Sequence, residues 1–327
     1  MSKEYLVDNL SIKDIIEFTD EMLKVERDKK SEKNKVNLLK IIPAAAAFVF
    51  VIGLMNFTGV FSIISSDKIP DSYIIVNGKL IDINETHLEL DSSQITNADI
   101  EPLKYMVNLQ SLWIISKTLT PGEDYYLPGN ISDIGPIVGL KNLTELDLTG
   151  NQISDISALA GLTNLKKLYL LDLDISQIND ISLLTGLTNL SLAGNKIDDI
   201  SALAGLTNLE RLNLRDTQVN DISVLTRLTN LIYLDLFNDQ ISDISALAGL
   251  TNLTFLNLGN NKINEISSLS GLTNLTNLAL TNNQISDINK LKELKNLKSL
   301  DLRLNPIING QIEKLREALP ITQILSD

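Results

Sequence analysis

The chain has 327 residues, of which 44% are hydrophobic, and a formal net charge of −13 at pH 7. It contains no cysteine, which excludes disulfides and thiolate chemistry, so the fold depends on its apolar core. The negative charge disfavours nucleic acid, whose phosphates would be repelled, and a single histidine leaves no Ser–His or histidine-rich metal constellation. We therefore expect no catalytic activity, no cofactor, no metal and no nucleic-acid partner.

Residues 1–40 are predicted to form a cytoplasmic tail with an amphipathic helix. Nine basic and nine acidic side chains cancel here, so the net charge lies in the remainder of the chain. Apolar and small side chains recur at helical spacing on one face, namely Ile12, Ile15, Ile16, Thr19, Met22 and Leu23. Two roles fit this face: docking of a cytoplasmic partner, or a juxtamembrane position on lipid.

Residues 41–66 are predicted to form a single transmembrane helix. The segment contains no Asp, Glu, Lys or Arg, and a helix of this length exceeds the roughly 30 Å hydrocarbon core of a bilayer. A cleaved signal peptide is the alternative, but such peptides have a short segment before the apolar run, and here 40 residues precede it. Basic residues are concentrated before the span, so we expect a single-pass cell-membrane protein with a cytoplasmic N-terminus and extracellular repeats.

Residues 67–108 are predicted to form an N-terminal cap and a first degraded repeat. The cap begins with a hairpin around Asn77-Gly78, a dipeptide typical of type I′ turns. At the other end, residues 306–327 are predicted to form a C-terminal cap, with an amphipathic helix and a final strand that cover the open end of the stack.

Residues 109–305 carry a repeat of 22 residues. Its clearest copy, residues 143–163, is LTELDLTGNQISDISALAGLT, which has the L-x-x-L-x-L-x-x-N-x-I pattern of leucine-rich repeats. Leu146 and Leu148 alternate with a polar residue, which predicts a short strand with its leucines inward. Apolar residues then recur every third position, as in 3₁₀ or short helical turns. The fold class is therefore a solenoid: a curved parallel sheet on the concave side and short turns on the convex side, preceded by the transmembrane helix.

Two polar columns run through the repeats. The first follows the strand and is predicted to satisfy backbone groups between repeats; its members are Asn151, Ser176, Asn195, Thr217, Asp239, Asn261, Asn283 and Asn305. The second is acidic and consists of Asp133, Asp155, Asp180, Asp199, Asp221, Asp243, Glu265 and Asp287. Its carboxylates have two interpretations, namely caps that accept backbone N–H bonds at each turn, or ligands for calcium.

One stretch departs from the period. Leu165–Ile178 contains three residues more than the regular spacing, and Leu187–Ile197 contains three fewer. We expect a bulge or a slipped strand between residues 165 and 195.

The block NQISDISALAGLTNL at 151–165, nearly repeated at 240–253, resembles the internalin-type leucine-rich repeat proteins of bacteria. The resemblance covers about residues 85–327. It implies a curved solenoid whose concave sheet binds a protein ligand, often at a host or cell surface. The predicted N-terminal anchor, and the lack of a cleaved signal and of a wall-sorting segment, depart from that family pattern.

Outward strand positions supply the candidate site. Exposed aromatic residues beside arginines are typical of protein-binding surfaces, and the candidate partner-binding residues are Trp113, Arg211, Arg215, Tyr233, Phe237 and Phe255. Asp235 and Asn257 are also predicted to face solvent. The alternative is that the rings only fill gaps against one another.

Two functions fit the sequence. The first is a membrane-anchored extracellular receptor or adhesion module that binds a protein ligand through the concave face. The second is an envelope sensor, in which ligand binding outside changes what the tail, residues 1–35, recruits inside. An enzyme fits poorly.

Overall fold

The computed structural model describes residues 72–117, 128–308 and 310–327. The predicted tail (1–40) and transmembrane helix (41–66) lie outside these ranges. So does the segment 118–127, which interrupts the repeats. In the part of the chain that is described, no helix is both long and apolar enough to cross a membrane.

The described chain begins with an antiparallel hairpin of two strands, β1 (Tyr73–Val76) and β2 (Lys79–Asp82). Its turn residues, Asn77 and Gly78, have φ values of 48° and 72°, as a type I′ turn requires. Strand β1 packs against the 3₁₀ segment Glu101–Tyr105. The hairpin predicted from the Asn-Gly pair is therefore present.

A parallel sheet of eleven strands follows, with its strands in chain order. The strands are β3 (His87–Asp91), β4 (Ser111–Ile115), β5 (Glu145–Asp147), β6 (Lys167–Tyr169), β7 (Asn189–Ser191), β8 (Arg211–Asn213), β9 (Tyr233–Asp235), β10 (Phe255–Asn257), β11 (Asn277–Ala279), β12 (Ser299–Asp301) and β13 (Gln323–Leu325). The central residue of each short strand from β5 to β12 is a leucine that points into the core and is at most 2% exposed. The strand phase predicted from the leucine pattern is confirmed for β5 and for β8 to β12.

Short 3₁₀ segments return the chain from each strand to the next. They are Glu101–Tyr105, Gly135–Ile137, Ser157–Leu159, Asn179–Ile181, Ser201–Gly205, Ser223–Arg227, Ser245–Leu247, Ser267–Leu269 and Asn289–Glu293. A single-turn helix, α1 (Asn97–Ile100), precedes the first of them. Buried leucines and isoleucines fill the space between the strands and these turns, so each repeat buries its apolar side chains against its neighbours.

The last repeat is followed by helix α2 (Gln311–Ala318) and the final strand β13. Leu315 and Leu319 are buried against the apolar core, and β13 pairs in parallel with β12. The predicted closing helix and strand are both present.

The predicted irregularity between residues 165 and 195 is wrong. Leu146, Leu168, Leu190 and Leu212 are consecutive partners in the sheet and lie 22 residues apart, so there is no bulge and no slipped strand here. Elsewhere in the repeats an Asn-Leu pair such as Asn164-Leu165 precedes the strand, whereas in Asn189-Leu190 the leucine is itself the central strand residue. A count that treats these pairs as equivalent is therefore displaced by three residues. As a result the member of the asparagine column here is Leu173, not Ser176, and Gln177 replaces Asp180 in the acidic column.

The asparagine column has the predicted structural role. The Asn283 side chain donates to the carbonyl oxygens of Leu258 (2.9 Å) and Leu280 (3.0 Å) and accepts the N–H of Ile263 (3.0 Å). Asn261 and Asn305 make equivalent bonds. One amide therefore satisfies backbone groups of two successive repeats, which fixes their spacing.

The acidic column caps the 3₁₀ segments. In Asp155 and Asp221, for example, Oδ1 accepts the N–H of the residue two positions later at 2.8 Å. These bonds lower the pKa of both carboxyls, because they favour the ionised form. The capping interpretation is thus confirmed for these residues.

The exits of strands β5 to β12 each contain a residue with positive φ. These residues recur every 22 positions and are Gly150, Asp172, Gly194, Asp216, Asn238, Asn260, Asn282 and Leu304. Glycine, asparagine and aspartate adopt this conformation at little cost. Leu304 is the exception.

Candidate protein-binding face

The outer sheet face, defined as the side of the sheet that points away from the leucine core, carries the candidate residues. Strands β8, β9 and β10 are neighbours in the sheet, and Arg211, Tyr233 and Phe255 are register partners at the first position of each strand. Alternation of side chains along a strand places all three on the outer sheet face. The strand phase predicted from the sequence therefore brings them together.

Arg211, Tyr233 and Phe255 form a continuous stack, called the first stack below. The ring centroids of Tyr233 and Phe255 are 4.4 Å apart, with an interplanar angle of 8°. The Arg211 guanidinium carbon lies 4.3 Å from the Tyr233 ring centroid. The planar groups thus follow one another at about the spacing of the strands, which is roughly 4.8 Å.

Arg215 and Phe237 form a second stack, at the exits of β8 and β9. The guanidinium carbon of Arg215 lies 4.4 Å from the Phe237 ring centroid. Its Nε donates to Asp216 at 2.8 Å, and this bond raises the pKa of Arg215. The position next to Phe237 is Gly259, where an added Cβ would lie 3.1 Å from the ring, so the glycine leaves room for the aromatic side chain.

Asp235 lies between the two stacks and is only 6% exposed, so the prediction that it faces solvent is wrong. Its Oδ1 accepts the N–H of Phe237 at 3.0 Å, and the Tyr233 hydroxyl donates to its Oδ2 at 3.4 Å. Burial raises the pKa of Asp235, and burial together with the nearby Asp235 charge raises the pKa of the Tyr233 hydroxyl. The Asp235 carboxylate is therefore buried and hydrogen-bonded, although it lies on the outer sheet face.

Asp235 belongs to a structural column that sequence reasoning missed. At the third strand position, an Asp or Asn side-chain oxygen accepts the N–H two residues later; the residues are Asp147, Asn213, Asp235, Asn257 and Asp301. The signal available in the sequence was the recurrence of Asp or Asn at this position. These residues end the strands, and they need no ligand to explain them.

A second column that sequence reasoning missed borders the outer sheet face. Asn238 donates to Asp216 Oδ1 at 2.7 Å, Asn260 donates to Asn238, and Asn282 donates to Asn260. All four residues have positive φ. This chain of amides therefore links four successive strand exits beside the second stack.

Trp113 is not part of this arrangement. It lies on β4 between register partners Glu89 and Asp147, is 37% exposed, and is separated from β8 by β5, β6 and β7. In the sequence, Tyr125 and Tyr126 follow β4 by about ten residues, and both lie outside the described residues. The structure therefore joins five of the six candidate residues and leaves Trp113 apart.

The five clustered residues, Arg211, Arg215, Tyr233, Phe237 and Phe255, are called the stacked patch below. Their contacts show that the rings do pack on one another, as the gap-filling alternative requires. Packing is nevertheless incomplete, because Tyr233, Phe237 and Phe255 remain partly exposed and both arginines are exposed. The patch is thus a preorganised surface rather than an enclosed core.

Comparison with known proteins agrees with this fold. The family profile described as leucine rich repeats (2 copies) matches six overlapping segments that together run from 126 to 293: 126–161, 141–186, 185–227, 207–249, 229–272 and 251–293. A search of curated proteins gave no significant match.

Among solved structures, the chain is similar to internalin C2 of Listeria monocytogenes (34% identity, TM-score 0.55), over 58% of this chain and 83% of that one. It is also similar to internalin F of the same organism (30% identity, TM-score 0.52), over 76% of this chain and 85% of that one. The ectodomain of the plant membrane receptor kinase GASSHO1/SCHENGEN3 from Arabidopsis thaliana, solved in complex with CASPARIAN STRIP INTEGRITY FACTOR 2, shares only the fold (20% identity, TM-score 0.56), over 73% of this chain and 32% of that one. The chain belongs to the leucine-rich repeat family, with internalins among its structural neighbours.

Proposed function

We propose that the protein is a membrane-anchored module that binds a protein ligand on the extracellular side through its outer sheet face. Leucine-rich repeats commonly bind proteins on such extended surfaces. The observation that carries the proposal is the stacked patch, because aromatic rings held in place by arginines are typical of interface hot spots. The chain has no catalytic role in this proposal.

The preorganisation of the patch supports binding. A stacked ring has little rotamer freedom left to lose, so less conformational entropy is lost when a partner covers it. The arginines supply hydrogen-bond donors at the rim of an apolar centre, which is the usual anatomy of a protein interface. The patch therefore offers both apolar contact area and polar specificity.

The binding test uses the full-length purified chain and a ligand identified among extracellular proteins. Truncating a hot-spot ring costs about 2 kcal/mol or more, so Tyr233→Ala and Phe255→Ala should each weaken binding by roughly thirtyfold. Loss of the ring pair should lower the free energy of unfolding by only about 1 kcal/mol. Asn277→Ala, at the same position on the next strand, is the matched control. Full affinity in both ring variants would exclude the stacked patch as the binding site.

The anchoring part of the proposal is supported by the sequence of residues 41–66, which has no charged side chain and is long enough to span a bilayer. Because the chain has no cysteine, single cysteines at Ser31 and at the exposed Thr163 can be labelled selectively. An impermeant thiol reagent on intact cells should label the cysteine at 163 and not the one at 31. The opposite pattern would contradict the proposed orientation.

A further inference from the structure

The three arginines on the outer sheet face differ in how their charges are neutralised. Arg215 is paired with Asp216, and Arg303 is paired with Asp301 through two bonds, from Nε at 3.0 Å and from Nη2 at 2.6 Å. Arg211 is different: within the described part of the chain, no carboxylate forms an ion pair with its guanidinium. Arg211 is exposed and has no ion-pair partner there, although the chain as a whole is acidic, with 41 acidic and 28 basic residues.

The orientation of Arg211 leaves its donors available. Its guanidinium lies over the Tyr233 ring, with 4.3 Å between the guanidinium carbon and the ring centroid. A guanidinium has five N–H donors, and a single ring beneath its carbon cannot occupy them all, so donors remain for an oxygen acceptor. The stack therefore fixes the group while its N–H edge stays free to bind a planar acceptor.

The outward edges of the Tyr233 and Phe255 rings carry partial positive charge, the same sign as the Arg211 guanidinium. Tyr233 and Phe255 are nearly parallel, at 8°, and cover each other's faces. Because the rings succeed one another along the strand-to-strand direction, their edges point away from the sheet. The edge of an aromatic ring is electropositive and its face is electronegative. The outward surface of the first stack is therefore apolar and positive.

Two carboxylates beside the stacks, those of Asp235 and Asp216, already accept hydrogen bonds from other groups. Asp235 is almost fully buried and accepts bonds from the Phe237 N–H and the Tyr233 hydroxyl. Asp216 accepts bonds from Arg215 and Asn238. A positive, apolar strip over β8–β10 thus remains on the surface of an acidic protein.

We infer that the partner presents a carboxylate-bearing protein segment, and that this carboxylate pairs with Arg211 at the end of the first stack while apolar atoms beside it contact the ring edges. The inference rests on the proposed function and adds the chemistry of the ligand. Carboxylates match the guanidinium in a planar, two-bond geometry that neither amides nor cations reproduce. Association is faster at low salt, because opposite charges steer the encounter.

The test measures binding of short synthetic peptides to the full-length chain. The probe is a library containing acidic, neutral and basic peptides, in which each acidic peptide has a partner with Asp replaced by Asn and Glu by Gln. We expect the peptides that bind to be acidic, and the amide partners to bind about tenfold more weakly or worse, as the loss of a charged hydrogen bond predicts. In Arg211→Gln the acid and amide forms should bind within about twofold of each other, since the carboxylate then has no partner.

Two further variants separate this role from general effects. Arg303→Gln removes the same charge from the same face, but from a guanidinium already bound to Asp301, so the preference for the acid form should persist. Arg211→Lys keeps the charge but not the planar fork, and it should recover only part of the preference. Thermal unfolding of each variant checks that it folds.

The outcomes distinguish the two proposals. If peptides bind, lose affinity in Tyr233→Ala, and bind equally well as acids and amides, or if basic peptides bind best, this inference is wrong and the proposed function stands. If no peptide of any charge binds in a manner sensitive to Tyr233→Ala or Phe255→Ala, both are overturned.

Discussion

Two stretches of the asparagine column form different hydrogen bonds. At Asn261, Asn283 and Asn305, each side chain donates to two leucine carbonyl groups and accepts an isoleucine N–H. In the central repeats the column contains Thr217 and Asp239 instead. Both the N–H and the hydroxyl of Thr217 donate to Asp239 Oδ1, at 3.0 and 2.7 Å. The side-chain nitrogen of an asparagine donates hydrogen bonds, whereas the second carboxylate oxygen of an ionised aspartate can only accept them.

The replacement of asparagine by aspartate at position 239 affects one buried oxygen atom. Asp239 is 7% exposed, and its Oδ2 has no hydrogen-bond partner among the described residues. Burial raises its pKa to about 7, and the charges of Asp216 and Asp235 add to this effect. The sheet above keeps its register nonetheless, because the leucines and the positive-φ residues still recur every 22 positions there. The register is thus determined redundantly, so single members of the column can change beneath the stacked patch.

Restoring the amide should have the largest effect. Asp239→Asn should raise the free energy of unfolding by on the order of 4 kcal/mol above pH 7, given a pKa shift from 3.8 to about 7. In the native chain Asp239 keeps its proton between these values, whereas the unfolded chain has released it. Stability should therefore fall as pH rises through this window, and then level off. Denaturation with urea from pH 4 to pH 8 measures the difference between variant and native chain.

Asn261→Asp is the reverse change in the intact stretch, and it should lose stability over a similar pH window. If the difference between Asp239→Asn and the native chain is constant with pH, Asp239 does not carry the raised pKa.

The second-largest effect is expected when an asparagine is removed from the regular stretch of the asparagine column. Asn283→Leu reproduces, in the regular stretch, the leucine found naturally at position 173. It removes the side-chain hydrogen bonds to the carbonyl groups of Leu258, Leu280 and Thr281 and leaves the buried N–H of Ile263 without its acceptor. The free energy of unfolding should fall by about 3 kcal/mol. Chemical denaturation gives the value. A loss below about 0.5 kcal/mol would mean that the asparagine column is dispensable everywhere, and that the two stretches do not differ.

The sequence was sufficient for the fold because a strict period constrains every repeat at once. The prediction failed between residues 165 and 195, because the dipeptide Asn189-Leu190 resembles the Asn-Leu pairs that precede the strands elsewhere but itself lies in a strand. Asp172 and Gly194 would have corrected the alignment, because both belong to the column of residues suited to positive φ. An alignment anchored on a backbone requirement is safer than one anchored on a common dipeptide.

For the candidate site, the sequence predicted which side chains share the outer sheet face but not how they pack. Phase alone places Arg211, Tyr233 and Phe255 in register. It does not give the stacking of planar groups or the burial of Asp235, because these depend on rotamers chosen against neighbouring strands. Nor could phase show that Trp113 and the stacked patch are separate, since that depends on the number of strands between them.

The third prediction tests the packing above the altered column. In Gly259→Ala the new Cβ would lie 2.9 Å from Thr281 Cγ2 and 3.1 Å from Phe237 Cδ2, so one of these side chains must move. We expect a loss of about 2 kcal/mol in the free energy of unfolding. Gly249→Ala, where an added Cβ meets nothing within 4 Å, is the control and should change little. Equal stability of the two variants would show that Phe237 does not lie over this strand.

The smallest expected effect concerns the one strand exit whose residue does not suit its conformation. Leu304 has φ 59° and is 62% exposed, whereas Asn260 and Asn282 occupy the same position in the two preceding repeats. A branched side chain in the left-handed region costs about 1 kcal/mol, which asparagine largely avoids, so Leu304→Asn should raise the free energy of unfolding by about that amount. Leu304→Ala has no side-chain amide to form the local hydrogen bonds by which asparagine offsets the strain at Cβ, so it should gain nothing. Thermal and chemical unfolding of both variants decide the point, and an equal gain in Leu304→Ala would attribute the effect to the removal of an exposed apolar side chain instead of to the backbone.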